Sequence, residues 1–312
     1  GDCVPVNGSE RLGVAVSPGR IRGDGHAISR GVRAVKTPYE RALIRQSAAS
    51  HDTLYRRIPK LYTEGMTDQE FSIEIERCAR QHGSLGIFRI FGRSMEIFMG
   101  SVLSGENADT PTPYDFAMGG AGLDDSLPIG CNGTTIRPGQ TVMVDVNGNF
   151  TGYMTDLSRV YSLGEIPDLA LHAHEVSLEI HRAVMLMARP GVAAADLYNK
   201  ALEIARDRQV EDYFMGHRQK AGFVGHGVGI EINEQPVIAP RSRDVLEVGM
   251  VFALEPKFVI PGVGPVGGEN TYLVTDEGVE KLTCCEWSIL PPESRNHLSV
   301  QTFTCLPHFL LG

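Results

Sequence analysis

With 312 residues the chain is long enough for one large domain or two small ones and for a substantial buried core. An apolar share of 42% and a charged share of 21% are those of an ordinary globular protein. A net charge of −9, with no cluster of Lys and Arg, excludes a nucleic-acid binder, and no apolar run approaches the roughly 20 residues that span a bilayer.

Residues 1–35 are rich in Gly and Arg and show little periodicity, so an extended lead-in, or the remnant of a further N-terminal domain, is expected there. The chain starts at Gly1 rather than Met, which points to an expression scar or an upstream segment that has been removed. Thr37-Pro38-Tyr39-Glu40 then forms a capping box with Pro at the first helical position, and a helix should run to about residue 60. Gly65 breaks the chain. Thr67-Asp68-Gln69-Glu70 is a second capping box, opening a helix that should end near Gly83. From 100 to 139 the composition turns to Gly, Pro, Asp and Asn, and an irregular stretch is expected, either a wall of a substrate pocket or a surface loop.

TVMVDVNG and FTGYMTDLSRVYS read as the arms of a hairpin around Asn147-Gly148-Asn149. Residues 168–188 read as a long helix stopped by Pro190-Gly191, followed by another over 194–208. Setting Gly65 on Gly191 matches Phe71 with Leu197 and Ala79 with Ala205, so a helix–break–helix unit recurs and a duplicated α/β unit is expected. MVFALEP and ENTYLVT are two further strands, with the Gly/Pro-rich VIPGVGPVGG read as the turn between them. The apolar tail LSVQTFTCLPHFLLG should pack on its own domain or on a second subunit, which favours a homodimer. Six cysteines at 3, 78, 131, 284, 285 and 305 form no CxxC pair and suit a reducing cytoplasm. The adjacent Cys284 and Cys285 read as an inert core pair.

The chemistry lies in five side chains of the second half: Asp145, Asp156, His226, Glu255 and Glu269. A hairpin turn near Phe150-Thr151 would set Asp145 directly opposite Asp156, with Cβ atoms about 4.5–5.5 Å apart. Carboxylates that close in a buried sheet need a cation between them, or one of them must be protonated. Val142, Val144, Val146, Tyr153 and Leu157 surround these acids, and Glu255 interrupts VFALEP in the same way. Taken singly, each acid reads as an edge-strand surface carboxylate. His226 is flanked by glycines that would let the backbone pass close to a ligand. Four carboxylates and one imidazole suit Mn²⁺, Co²⁺, Fe²⁺ or Zn²⁺, manganese being favoured. Two such ions about 3.5–4 Å apart can deprotonate a shared water and polarise a carbonyl.

This ordered set, in these contexts, resembles the methionine aminopeptidase / Xaa-Pro peptidase superfamily over roughly residues 30–285. Lys36 to Glu40 is similar to the Lys-x-x-x-Glu opening of those domains. The resemblance implies an α+β "pita-bread" fold: two pseudo-symmetric α/β halves around a curved antiparallel sheet, here residues 36–290, with 291–312 as a C-terminal tail. It implies one ion on Asp156, His226 and Glu269 and a second reached by Asp145, Asp156, Glu255 and Glu269, with Glu255 also the proton shuttle. The implied activity is a dinuclear metallohydrolase of the Xaa-Pro dipeptidase or aminopeptidase kind, cytoplasmic, acting on short peptides. The chain departs from the pattern where relatives carry His or Arg: Ile129, Gly222, Asn233 and Gly267 stand there. Asn233 keeps a hydrogen-bond donor and is taken as a catalytic candidate. These departures leave open a metal enzyme acting on a non-peptide small molecule, and the fold also leaves open a non-catalytic binding module.

Overall fold

The computed structural model describes residues 25–89, 96–114, 116–287 and 289; the tail expected over 291–312 and most of the lead-in lie outside them. The first helix, α1 (Gly25–Ala34), falls where an extended lead-in was expected. Its apolar residues Ile28 and Val32 are exposed, and it is held by polar contacts instead. Arg30 donates to the Asn233 carbonyl at 3.0 Å and Arg33 to Glu231 at 2.7 Å. Ile28 and Val32 stand one helical turn apart, but the apolar face they form points outward and not into a core.

Helix α2 spans Pro38–Tyr55 and α3 Asp68–Gln81, each opened by a complete capping box, Thr37 with Glu40 and Thr67 with Glu70. Helix α2 stops short of residue 60. Pro59 cannot donate, and its ring would meet the carbonyl four residues back, at Tyr55, so Ile58–Lys60 form a 3₁₀ turn. After the short hairpin β1 (Phe88–Arg89) and β2 (Glu96–Ile97) comes β3 (Gly100–Ser104), a buried strand at the head of the stretch expected to be irregular.

Strands β4 (Thr141–Val146) and β5 (Ser158–Ser162) complete an antiparallel sheet of order β3-β4-β5. Helices α4 (Asp168–Met187) and α5 (Ala194–Asp207) follow, α5 starting and ending 126 residues after α3. The remaining strands are β6 (Gly225–Gly227), β7 (Glu234–Ile238), β8 (Val251–Leu254), β9 (Lys257–Ile260), β10 (Gly264–Gly267), β11 (Asn270–Val274) and β12 (Val279–Lys281). They form an antiparallel sheet of order β12-β11-β8-β6-β7 and the hairpin β9-β10. VIPGVGPVGG is therefore not a plain turn. Phe258, Ile260 and Val266 are buried on the α4 side, and burial of these side chains outweighs the weak strand propensity of Gly and Pro.

Two cores result. Leu54, Phe71 and Ile75 of α2 and α3 pack on Val102, Val142 and Val144, while Val176, Ile180 and Leu197 of α4 and α5 pack on Phe252, Phe258 and Val266. The halves meet along a seam where the Glu269 N–H donates to the Ser158 carbonyl at 3.2 Å and the Thr141 N–H to the Val263 carbonyl at 2.9 Å. Among the described cysteines Cys78, Cys131, Cys284 and Cys285 are free thiols. Cys285 is buried but Cys284 is exposed, so that pair lies only half in the core. No helix among the described residues is long and apolar enough to cross a membrane.

Candidate metal centre

The seam is where the five singled-out side chains meet. Asp145 lies on β4, the one position of that strand that is not fully buried. Its partner across the ladder is Ser158, not Asp156. Gly148 and Thr155 exchange two backbone hydrogen bonds, and they carry the Asp145–Ser158 register into the connection. Asp156, two residues before Ser158, is thus a diagonal neighbour of Asp145 on the same face. The buried Tyr55 hydroxyl clamps this region from α2: it contacts the carbonyls of Val144 and Leu157 and accepts the Val146 N–H at 3.2 Å.

His226 is the middle residue of β6, between β7 and β8. Its flanking glycines serve neighbouring strands rather than a ligand. A Cβ at 225 would lie 2.4 Å from the Ala253 carbonyl oxygen, and one at 227 would lie 2.2 Å from that of Gln235. The His226 Nδ1 faces the Gly227 carbonyl at 3.3 Å, which turns Nε2 toward the acids, 3.2 Å from Glu255 and 3.8 Å from Asp156. Glu255 follows β8 directly, and Glu269 links β10 to β11.

The ligand atoms fall into two groups, each within 4.8 Å of one another: Asp156 with His226 and Glu269, and Asp145 with Glu255 and Glu269. Glu269 belongs to both. One of its oxygens, Oε1, is buried with no hydrogen-bond partner, a costly state for a carboxylate that a cation would relieve. The first group therefore fits a divalent ion by its donor chemistry. The second group encloses the ammonium of Lys257. Its Nζ lies 2.7 Å from Asp145, 2.6 Å from Glu255 and 3.0 Å from Glu269.

Electrostatics follow this crowding. Burial, then the charge of Asp145, push the Asp156 carboxyl up to about 7. Burial and the charges of Asp156 and Glu255 hold Glu269 well above the carboxylate range. Burial acts on Glu255 in the same direction, but Lys257 and His226 outweigh it and bring that group to about 2. Lys257, despite burial, is raised well above the lysine range by Asp145, Glu255 and Glu269. One ammonium does not balance four acids, so protons or further cations must make up the charge.

A cleft lies over the group, walled by Phe88, Phe116, Met118, Ile129, Phe223 and Asn233. The 100–139 stretch thus supplies part of a pocket wall. Among the departures noted in the sequence, Ile129 and Asn233 line this cleft, while Gly222 and Gly267 are not among its described lining residues.

Sequence reasoning missed two residues. Lys257 was legible as a charge two positions beyond Glu255 in an extended, apolar segment, hence on the same face. Arg159 is 4% exposed and donates to the carbonyls of Ser158, Glu269, Cys285 and Glu286 and to the Asn270 side chain, while stacking on Trp287 at 4.7 Å. It fixes the backbone of Glu269, and no local motif marks it.

Residues 42–276 match the model of metallopeptidase family M24, and the chain belongs to that family. It is 27% identical over 264 residues to the Xaa-Pro dipeptidase of Pyrococcus furiosus, covering 84% of this chain and 67% of that one. It is also 35% identical over 149 residues to the Xaa-Pro dipeptidase of Lactobacillus delbrueckii subsp. lactis, covering 48% and 39%. The solved prolidase from Pyrococcus furiosus superposes with a TM-score of 0.68 at 26% identity, over 83% of this chain and 68% of that one. The fold is the α+β pita-bread fold of these neighbours. The chain spans about two thirds or less of the length of the two curated relatives.

Proposed function

We propose that the chain is a metal-dependent peptidase that cleaves after the first residue of a short peptide, with Pro favoured at the second position, using two divalent ions of which manganese is favoured. The observation that supports this most directly is the convergence of four carboxylates and one imidazole on the floor of an apolar cleft. Asp156, His226 and Glu269 would hold one ion, and Asp145 and Glu255 would reach the other with Asp156 and Glu269 shared. Bound divalent ions supply Lewis acidity, which activates water at neutral pH and polarises a carbonyl.

The chain's own groups do the rest. Glu255, whose carboxyl Lys257 and His226 hold in the ionised form, would accept the proton of the attacking water and pass it on to the leaving amine. Asn233 at the cleft wall donates to the carbonyl oxygen on which negative charge develops. Phe88, Phe116, Ile129 and Phe223 take the apolar side chain or proline ring and keep water away. The test is release of the N-terminal residue from a panel of Xaa-Pro dipeptides and longer peptides with Mn²⁺, Co²⁺, Fe²⁺ or Zn²⁺. Metal-loaded protein that turns over none of them would remove the peptidase reading.

A second reading rests on Ile129 and Asn233, which stand at the cleft where the resemblance leads one to expect histidines. In it, the same centre acts on a non-peptide small molecule. Metabolite profiling with metal-loaded and chelated protein separates the two readings. Residues 36–290 are taken as the catalytic unit and 291–312 as a tail, in a homodimer that works in the cytoplasm. The free thiols among the described residues fit a reducing compartment.

A further inference from the structure

We infer that Lys257 is a built-in competitor for one of the two ion positions: its ammonium lies among Asp145, Glu255 and Glu269, so the protein fills in two separated steps, the second requiring displacement of a side chain. The inference rests on the metal-site reading above but not on the choice of substrate.

The argument is first one of space. Nζ lies 2.6–3.0 Å from one oxygen of each of the three carboxylates. An ion ligated by those oxygens must lie about 2.0–2.2 Å from each. That leaves its centre in the volume Nζ already fills, and two cations do not share it. The second argument is valence. An ammonium has three N–H donors, and each has a carboxylate acceptor here, so Lys257 is fully satisfied where it is.

The third argument is anchorage. Lys257 is fully buried and opens β9, with its carbonyl accepting the Met215 N–H at 2.8 Å. Its direct partner across the hairpin is Gly267, which has no side chain to contest the shared face. The group Asp156–His226–Glu269 shows no such occupant: no lysine or arginine is paired with Asp156 or His226 among the described residues, and Glu269 Oε1 is left without a partner. The first ion therefore enters there with Lys257 in place. The second must break three charge-assisted hydrogen bonds and move a buried cation.

Manganese titration of the metal-free protein, followed by calorimetry and by electron paramagnetic resonance, tests this. The wild type should bind one ion and give the six-line spectrum of an isolated Mn²⁺, with the second step weaker by about 100-fold or more. Lys257→Met should bring the two steps within about tenfold and give a spin-coupled pair at two equivalents, whereas Lys257→Arg, which keeps the charge, should retain the separation. Lys257→Gln, neutral but still able to hydrogen-bond, serves if Lys257→Met does not fold, with the same expected convergence. Equal steps in the wild type, or the same separation in the wild type and the neutral variants, would overturn the inference and leave the metal site intact. Absence of even the first step in every protein would instead overturn the metal-site reading, and this inference with it.

Discussion

Replacing Arg159 with Met tests whether the candidate ligand Glu269 is positioned from behind. The guanidinium makes five hydrogen bonds of 2.6–2.9 Å, four to backbone carbonyls and one to Asn270. Met fills much of the volume but satisfies none of them. The Glu269 carbonyl, next to a fully buried segment, and that of Cys285 would lose a donor, at about 1–3 kcal/mol for each buried group left unpaired. Part of this is returned because a buried charge no longer has to be desolvated. The net loss should be about 3 kcal/mol, which at ~2–4 °C per kcal/mol for a large domain lowers Tm by about 6–12 °C. Metal affinity should fall ~10–100-fold, the usual effect of losing a group that orients a ligand. Thermal unfolding and manganese titration measure both, and Arg159→Lys should recover little because three donors do not replace five contacts. A Tm within about 1 °C of wild type and an unchanged affinity would refute the reasoning.

His226→Ala should lower peptide turnover by about 1,000-fold and weaken the first manganese-binding step, read by initial rates and calorimetry. In chelator, the stability of the metal-free protein should fall as pH rises from about 4 to 7. The Asp156 carboxyl, raised to about 7, holds its proton in the folded state after the unfolded chain has released it, so folding loses its advantage on the way up. Glu255 acts oppositely: at about 2 when folded, it contributes stability above the ordinary carboxylate range that is lost as pH drops toward 2. Added manganese should abolish most of the decline above pH 5, and a flat Tm profile in chelator would contradict both statements. Glu234→Leu should cost about 3–5 kcal/mol by urea unfolding, because it strands the Lys36 ammonium, which lies 3.0 Å from Glu234 and is almost wholly buried. Adding Lys36→Met should return part of that loss, since Arg33 and the Glu231 N–H also contact Glu234, and a double variant no more stable than the single would count against the pair.

The helical half of the architecture was legible because its signals are local. Two capping boxes, the Pro190-Gly191 stop and the shared break at Gly65 and Gly191 are each written in a few adjacent residues. What escaped depended on distant contacts. Strands β9 and β10 form in a Gly/Pro-rich run because α4 covers them, and α1 forms because Arg30 and Arg33 find partners some 200 residues away. At the centre, each acid or histidine stood out against an apolar background. The register error came from a turn placed one residue early, which a period of two does not correct when both arms remain on the right face. Lys257 was passed over because a lysine is ordinarily solvated, and only the three carboxylates folded around it give it another meaning.

The bridge between Ser158 and Glu269 joins the two halves at the point where their acids accumulate. Asp145 and Asp156 come from one half, and His226, Glu255 and Glu269 from the other. Whatever cation sits between them acts as a clasp as much as a reagent. Stripped of ions, the join has only the Lys257 ammonium to offset its acids; loaded, it would gain further cations holding the same carboxylates from both sides. Resistance to proteolysis across this join should therefore rise and fall with ion content, even in a variant that has lost all turnover.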